Sequence, residues 1–398
     1  MKKRVIAMLM SGMLSMGTAI AGFGSTPMQV LADDIKEEDP DAIIWDGTYT
    51  ILDDGTIRLD KYLGKDIEVT IPTELTIDGQ EYKVTQVGAC FQGNKNIRKI
   101  IIPDGIVFSA DRYGWNFFFG GCTNLTSVSL PSDLEGFKFP GLRDTSSLRS
   151  FILPKSVKNM GTEEGLNKKI ICGYPGSIAT NLGKAFIDIS TAKYHDAAHL
   201  ISRGNDGNYY LVDRQFGVDF LNGIEQVGGE FYVFKDGVWQ EDISEFTTYN
   251  DCLFRVTYGS IDKKANGLVN DPVNTMDWYY CNQGQVVDYT GLVEYDGAWF
   301  YVNKGLMDTT MKGYVSYDSG LFYVAAGRIL REVNGLAQDP NTSEWYYCAN
   351  GEAQLQYTGL ATYDGEWFYI VNGKLAETYN GYVWYDGSQF LVENGMVK

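Results

Sequence analysis

The sequence predicts a mainly β fold of the repeat or solenoid class, built from two successive arrays. Two periodicities indicate it: a proline-ended apolar phrase in the first half and an aromatic pair that recurs through the second half. Composition agrees, because the 398 residues include 45 Gly, 27 Tyr, 20 Phe and 8 Trp. Glycine turns and aromatic side chains favour many short strands. With 44% hydrophobic residues the chain can form a core, which excludes a disordered protein.

The first 32 residues are predicted to be a secretory signal peptide. Basic residues 2–4 precede an apolar run that ends at Ile20, and residues 30–32 offer a small-residue cleavage site. Cleavage after Ala21 is an alternative. An uncleaved anchor helix is another, although the run is short for a span of ~20 residues. With no later run of transmembrane length and no sorting signal, we expect a secreted mature chain without a transmembrane segment.

A short phrase of alternating apolar residues ending in proline recurs between residues 67 and 154. The prolines are Pro72, Pro103, Pro131 and Pro154, at intervals of 31, 28 and 23 residues. Such a phrase describes a short strand that pairs laterally and then stops. Each unit is too small to bury its own apolar face, so the units must stack into a solenoid.

Residues 43–190 resemble BspA-type leucine-rich repeats. Segment 119–125, Phe-Gly-Gly-Cys-Thr-Asn-Leu, is similar to the family phrase F-x-G-C-x-N-L, and segment 171–179 resembles the closing unit of the family. The resemblance implies a bacterial surface protein that binds partners. We therefore take 33–190 as a leucine-rich repeat domain that offers a surface to a protein or host partner, with a plain spacer as the alternative.

Residues 206–398 are predicted to be a second array, of β-hairpins, joined to the first by a linker at 191–205. Pairs of bulky apolar, mostly aromatic, residues recur every 21 to 26 residues, and Asp-Gly turns such as Asp296-Gly297 separate alternating runs. Asp-Gly is a strong hairpin signal because type I′ turns need positive φ at both positions. A longer repeat overlies this period, since 266–327 matches 334–395 at an offset of 68. Isolated hairpins are marginally stable, so most of these aromatic residues must pack between stacked hairpins.

The hairpin array resembles the cell-wall-binding repeats of the choline-binding and glucan-binding type. The order Gly297-Ala298-Trp299-Phe300-Tyr301 and then Gly305-Leu306-Met307 follows the family pattern, and the run that starts at Gly365 repeats it. In the family, aromatic residues and a methionine enclose a choline cation, held by cation–π attraction of ~2 kcal/mol or more. The resemblance implies two candidate cages, formed by Trp299, Met307 and Tyr314 and by Trp367, Leu375 and Tyr382. Leucine replaces tryptophan after several repeat glycines, so binding of sugar rings by the same aromatic residues is the alternative.

Charge separates the two halves and excludes one class of partner. Residues 206–398 carry 27 acidic and 11 basic residues, and the whole chain has a net charge of −18. A nucleic-acid partner is excluded because binding needs a positive footprint. The acidic array favours a neutral or cationic ligand, although like charge can also serve only solubility.

Catalytic and metal motifs give little support for an enzyme. The two histidines, His195 and His199, echo a zinc-binding His-x-x-x-His, but no third ligand follows, and we expect them in a linker helix. The six cysteines are expected to be buried free thiols, with a Cys90–Cys122 disulfide as the alternative. Both halves are accounted for by repeats, so we expect no catalytic domain, no cofactor and no metal site.

The function that these observations favour is non-covalent attachment to a cell surface. We expect a secreted, cell-wall-associated protein whose hairpins bind a wall polymer, through teichoic-acid choline or a glycan, while the leucine-rich repeats contact a partner. The alternative is a released glycan-binding adhesin that recognises host or environmental polysaccharide. A third interpretation treats both arrays as spacers.

Overall fold

The computed structural model describes residues 28–29, 45–109, 118–137, 141–160 and 165–398, which fall in two compact units, Met1–Trp239 and Gln240–Lys398. These are unit 1 and unit 2. The predicted signal peptide lies outside the described residues except for Met28 and Gln29. Among the described residues, none of the helical structure is long and apolar enough to cross a membrane.

Unit 1 consists of short strands and one described 3₁₀ turn, Ile178–Asn181. Its strands are β1 Met28–Gln29, β2 Gly47–Ile51, β3 Ile57–Tyr62, β4 Glu68–Thr70, β5 Glu74–Ile77, β6 Gln80–Val87, β7 Lys99–Ile101, β8 Val107–Phe108, β9 Ser127–Ser129, β10 Gly136–Phe137, β11 Ser150–Ile152, β12 Asn159–Met160, β13 Ile170–Gly173, β14 Ala185–Asp188, β15 Tyr194–His195, β16 His199–Arg203, β17 Tyr209–Asp213, β18 Gly217–Val218, β19 Gly223–Val227, β20 Glu230–Lys235 and β21 Val238–Trp239.

The proline-ended phrases form parallel ladders, as a solenoid requires. β4, β7 and β9 pair in parallel, and β11, β13 and β14 form a second parallel sheet. Each of β4, β7, β9 and β11 ends two residues before its proline, because proline lacks the N–H that a further pairing would need. Together with the hairpins below, these ladders confirm the predicted mainly β, repeat-built fold class.

A continuous apolar core fills the leucine-rich part of unit 1. It extends from Trp45 to Phe186 and includes the fully buried rings of Phe91, Phe118 and Phe119. The rings meet edge to face, with centroids 5.5 Å apart for Phe91–Phe118 and 4.7 Å for Phe118–Phe119. Aromatic edge-to-face pairs add stabilisation beyond area burial, which suits a core assembled from small repeats.

The helix expected in 191–205 is wrong, because this segment forms the antiparallel hairpin β15–β16. Its turn is closed by the Asp196 carboxylate, which accepts hydrogen bonds from the N–H groups of Ala198 and His199 at 2.8 Å. These bonds lower the pKa of Asp196. An aspartate that satisfies its own turn in this way favours a hairpin over a helix. His195 and His199 therefore lose the one-face spacing that a helix would give them.

All six cysteines are free, and five of them are buried: Cys90, Cys122, Cys172, Cys281 and Cys348. Cys252 is only half-buried, which corrects the expectation for that residue. Burial raises the pKa of Cys122 and Cys281 to about 11. Thiols held protonated in this way are poor nucleophiles and behave as small apolar side chains.

Unit 2 is a stack of seven three-stranded hairpins, named hairpins 1 to 7 in chain order. They are hairpin 1 (β22 Phe246–Tyr249, β23 Cys252–Thr257, β24 Ser260–Ile261), hairpin 2 (β25 Gly267–Asn270, β26 Trp278–Asn282, β27 Gln285–Val286), hairpin 3 (β28 Gly291–Tyr295, β29 Ala298–Asn303, β30 Leu306–Met307), hairpin 4 (β31 Gly313–Tyr317, β32 Gly320–Ala325, β33 Arg328–Ile329), hairpin 5 (β34 Gly335–Gln338, β35 Trp345–Ala349, β36 Glu352–Ala353), hairpin 6 (β37 Gly359–Tyr363, β38 Glu366–Val371, β39 Lys374–Leu375) and hairpin 7 (β40 Gly381–Tyr385, β41 Ser388–Glu393, β42 Met396–Val397).

One pairing rule joins successive hairpins. In hairpins 2 to 7, the short third strand pairs with the central strand of its own hairpin and with the central strand of the preceding hairpin, as in β29–β30 and β26–β30. Glycine is needed at the turn before each third strand. A Cβ on Gly327, whose φ is +70°, would lie 2.4 Å from the carbonyl oxygen of Asp308. The hairpins are therefore interlocked and not merely stacked.

The division between the compact units does not coincide with the predicted domain boundaries. Unit 1 ends at Trp239, whereas the sequence predicts that the hairpin array begins at 206. Residues of β16, β17 and β18 share one apolar cluster with β13 and β14, including Leu200 and Val212 packed near Cys172. Compactness and repeat type are different criteria, so the boundaries at 190 and 205 stay a prediction.

Candidate functional site

Four tryptophan–tyrosine pairs recur along unit 2, always between successive hairpins. The tryptophan comes from the central strand of one hairpin, and the tyrosine ends the first strand of the next hairpin. The ring centroids are 5.0 Å apart for Trp278–Tyr295, 4.7 Å for Trp299–Tyr317, 4.7 Å for Trp345–Tyr363 and 6.1 Å for Trp367–Tyr385. We name these sites 2/3, 3/4, 5/6 and 6/7 after the hairpins that form them.

At each site, the aromatic pair packs on a phenylalanine and on an aliphatic or methionine side chain of the later hairpin. At site 2/3, Phe300 and Met307 pack in the same cluster as Trp278. Phe322 and Ile329 lie beside Trp299, and Phe368 and Leu375 beside Trp345. At site 6/7, Phe390 and Val397 share a cluster with Tyr385. Each site thus combines two accessible rings with an apolar base.

The predicted cage residues are distributed over different sites. Trp299 belongs to site 3/4, while Met307 faces site 2/3, and Tyr314 lies in a third cluster with Tyr346 and Cys348. The reason is strand alternation, which sends Trp299 and Tyr301 to one face of β29 and Phe300 and Val302 to the other. Met307 pairs with Val302 in the ladder, so its side chain shares the second face.

The second predicted cage is divided in the same way. Trp367 belongs to site 6/7 and is half-exposed, whereas Leu375 lies in the apolar base of site 5/6. Tyr382 lies on the outer face of hairpin 7 and is 64% exposed. The third-strand side chain that shares a site with each tryptophan therefore comes from the following hairpin. In both predicted cages, the tryptophan and the third-strand residue come from the same hairpin and face in opposite directions.

Tyr314 packs against other residues of the array and belongs to none of the four sites. Its ring centroid is 4.6 Å from that of Tyr346 and 5.1 Å from that of Tyr323. Its hydroxyl donates to the carbonyl oxygen of Ala337 at 3.1 Å and lies 2.9 Å from Sγ of Cys348. Burial, followed by the contact with Cys348, raises the pKa of Tyr314.

An aspartate directly follows the tyrosine of every site. Asp296, Asp318, Asp364 and Asp386 occupy the first central position of the hairpin turns, with φ between 45° and 52°. The next residue of each turn also has positive φ, which is the geometry of a type I′ turn. The turn that fixes each tyrosine thus places a carboxylate next to it in the chain. A carboxylate beside accessible aromatic faces favours a cation over an anion.

The tyrosines of the four sites were missed in the sequence, although a signal for them was present. Tyr295, Tyr363 and Tyr385 each lie immediately before an Asp-Gly dipeptide, which indicates a hairpin turn, and Tyr317 lies before Asp318-Ser319. Their recurrence marks them as a repeat position. What the sequence alone did not indicate was that each tyrosine reaches the tryptophan of the preceding hairpin.

A stack of interlocked hairpins with aromatic pairs at the joints defines the class of unit 2 as a β-hairpin repeat array. The matching family model is the choline-binding repeat, over residues 288–308, 356–376 and 378–398. These segments contain hairpins 3, 6 and 7. The C-terminal region thus contains choline-binding repeats, and the resemblance predicted for it is confirmed.

Solved structures of both repeat types are similar to parts of the chain. A leucine-rich repeat protein from Bacteroides capillosus ATCC 29799 is 24% identical over 33% of this chain and 96% of its own, with a TM-score of 0.28. CbpJ from Streptococcus pneumoniae TIGR4 is 18% identical over 52% and 87%, with a TM-score of 0.26. Choline binding protein F from Streptococcus pneumoniae is 19% identical over 48% and 76%, with a TM-score of 0.21. No curated protein matches the sequence.

Proposed function

We propose that this protein is a secreted, non-enzymatic bacterial surface protein that is retained on the cell wall by binding choline groups of a wall polymer at sites 2/3, 3/4, 5/6 and 6/7. The observation that carries the proposal is the fourfold recurrence of a tryptophan–tyrosine pair with a neighbouring aspartate. A quaternary ammonium gains ~2 kcal/mol or more from desolvated aromatic faces, which is weak for one site. Several sites on one array that bind one polymer raise the overall affinity through effective concentration.

Titration calorimetry with choline and with 3,3-dimethylbutan-1-ol tests the cation requirement, because the two molecules share a shape and differ in charge. We expect choline to bind and the neutral alcohol to bind much more weakly. Trp299→Ala and Trp367→Ala should each remove one site from the stoichiometry. Trp384→Ala is the matched control, since Trp384 is 74% exposed and belongs to none of the four pairs. Equal binding of the two ligands, or an equal loss in the control, would count against the proposal.

Retention on the wall is tested by cell fractionation of the full chain. We expect the protein in the wall fraction and its release by free choline. Release by oligosaccharides and not by choline would favour the alternative of a glycan-binding adhesin. Recovery of the protein only from the medium, without affinity for purified walls, would refute retention.

We assign the leucine-rich part to partner contact. The ladder register aligns Glu68 with Lys99 and Lys99 with Ser127, so a polar row crosses the parallel sheet of β4, β7 and β9. Glu68 is exposed, and the other two are half-buried. A row of mixed polarity on a rigid sheet is suited to a protein partner. Charge reversal at Glu68 should weaken binding of such a partner without changing choline binding.

A further inference from the structure

The last two hairpins of unit 1 form a joint with the same ladder as the sites of unit 2. They are hairpin A (β16, β17, β18) and hairpin B (β19, β20, β21). Val238 in the third strand of hairpin B pairs with Tyr210 in the central strand of hairpin A, just as Arg328 pairs with Phe300 at site 3/4. The pairing rule of unit 2 therefore applies here as well, and we name this place joint A/B.

Joint A/B has an aromatic pair, built from positions that also line site 3/4. Tyr209 precedes the paired residue of the central strand and so takes the position of Trp299. Trp239 follows the paired residue of the third strand and so takes the position of Ile329. The ring centroids of Tyr209 and Trp239 lie 5.7 Å apart, and both residues belong to one apolar cluster with Tyr232. The joint therefore has the aromatic content of a cation site.

Joint A/B departs from the four sites at the turn of hairpin B. Val227 and Gly228 stand where site 3/4 has Tyr317 and then an aspartate. The N–H of Gly228 donates to the carboxylate of Asp196 at 3.1 Å. A Cβ on Gly228, whose φ is +62°, would lie 3.0 Å from the carbonyl oxygen of His195, so glycine permits this close approach. The hairpin β15–β16 therefore packs on this turn, where the usual tyrosine and aspartate are replaced.

The strand β15 and the residue before it bring a third ring and a cation to the joint. The ring centroid of Tyr194 lies 5.9 Å from that of Trp239. The Nζ atom of Lys193 lies 4.5 Å from the ring centroid of Trp239 and 4.6 Å from that of Tyr209. It lies 5.7 Å from the centroid of Tyr194. The backbone N–H of Lys193 donates to the carbonyl oxygen of Ile201 at 2.8 Å, which fixes the start of the side chain beside these rings.

Three rings around one ammonium are the arrangement of a cation site that already holds its ligand. Cation–π attraction acts within ~6 Å of a ring centroid, so all three rings are in range. Because Lys193 belongs to the chain, its ammonium competes with free cations at a high effective concentration. Lys193 is exposed, so its side chain meets the rings from the side that a free ligand would approach. An external quaternary ammonium therefore reaches these ring faces only by displacing the lysine.

We propose that joint A/B is a cation-binding site whose ligand is the ammonium of Lys193, and that this internal ligand closes the joint to external quaternary ammonium ions. The segment that connects the two arrays thus has a second role, because it carries the lysine and one ring of the site. The proposal goes beyond the function proposed above, since it concerns unit 1 and requires no wall polymer. It also implies that joint A/B adds nothing to binding by the four sites of unit 2.

Reductive methylation of the full chain with isotope-labelled formaldehyde tests the internal ligand by NMR, because it labels each lysine as a dimethylated amine that keeps its charge. The Lys193 signal is identified by its loss in Lys193→Arg, and that of Lys235, an exposed lysine of β20, by its loss in Lys235→Arg. We expect ring currents to shift the N-methyl signal of Lys193 upfield of that of Lys235. Tyr209→Leu should reduce this shift and leave Lys235 unchanged. A Lys193 signal at the position of the Lys235 signal would overturn the proposal.

Equilibrium dialysis of the full chain against labelled choline tests the closure. We expect Lys193→Ala to bind one more choline per chain than the wild type does, because the rings lose their internal cation. Lys193→Gln, which keeps a longer stem without the charge, should gain the same site. Lys193→Arg should gain none, since a guanidinium also binds aromatic faces, and Lys235→Ala is the matched control. No gain in either neutral variant of Lys193, or an equal gain in the control, would overturn the closure.

The outcomes separate this proposal from the function proposed for unit 2. A wild type that binds no choline, together with one bound choline in Lys193→Ala, would refute the function proposed for unit 2 and support the closed joint. Choline binding by the wild type with no gain in Lys193→Ala would refute the closed joint and leave the function of unit 2 standing.

Discussion

The two three-hairpin blocks of unit 2, block 1 (266–327) and block 2 (334–395), have related sequences but different surroundings. Tyr314 of block 1 and Tyr382 of block 2 occupy the same repeat position. Tyr314 is covered by hairpin 5 and contacts Ala337, Tyr346 and Cys348, whereas Tyr382 of hairpin 7 has no such cover and is 64% exposed. The same residue type is structural in one block and accessible in the other. The following hairpin, and not the local sequence, decides which.

The largest expected difference between the blocks is in stability. Tyr314→Ala should lower the free energy of unfolding by about 3–5 kcal/mol, because it removes a packed ring and leaves polar partners unpaired. Tyr382→Ala should change it by less than about 0.5 kcal/mol, as expected for an exposed site. Urea unfolding of the two variants measures both. Similar losses would contradict the coverage of Tyr314 by hairpin 5.

A smaller effect is expected at alkaline pH. The pKa of Tyr314 is raised by burial, so the folded protein holds this proton more tightly than the unfolded chain does. Its contribution to stability is complete below the unfolded phenol pKa of about 10 and is lost as the pH rises above that value. Tyr314→Phe should therefore make the alkaline decline in unfolding free energy shallower than in the wild type. The check is a series of urea midpoints at increasing pH, and an unchanged slope would contradict it.

The smallest difference concerns a salt bridge found in block 2. Lys374, paired with Glu344, corresponds to Leu306 in block 1. Because both partners are about half exposed, Lys374→Leu should cost no more than about 0.5 kcal/mol, and the cost should vanish in 1 M salt. Thermal unfolding at low and high salt measures this. A loss that persists at high salt would mean that the lysine stem contributes by packing.

The fold class was predictable because both repeat patterns of the sequence indicate it. Proline at 72, 103, 131 and 154 ends parallel strands, and Asp-Gly turns such as Asp364-Gly365 close hairpins, as local chemistry requires. The segment 191–205 was not predictable from spacing alone. Its histidines have helical spacing, but the Asp196 carboxylate closes a turn and Leu200 joins a core with residues distant in sequence.

The residue types that form the sites were predictable from the sequence, but which residues share a site was not. In the structure Trp299 and Trp367 belong to aromatic pairs, whereas Met307 and Leu375 pack near the tryptophans of the preceding hairpins. That assignment depends on the ladder between hairpins, which no single repeat encodes. The tyrosines of the four sites need the same information, since each contacts the tryptophan of the preceding hairpin.

Because the third strand of each hairpin pairs with the preceding hairpin, the sites of the array can form in order along the chain. A site is complete once the next hairpin exists, as when Leu306 pairs with Tyr279, 27 residues earlier, or Lys374 with Tyr346, 28 residues earlier. Because chains are synthesised from the N-terminus, these sites can form in order while later hairpins are still being made. Closely spaced partners also favour rapid folding. Each added hairpin completes the site that it shares with the preceding hairpin, and its own central strand can then pair with the next hairpin. The array therefore lengthens without rearranging the hairpins that have already formed.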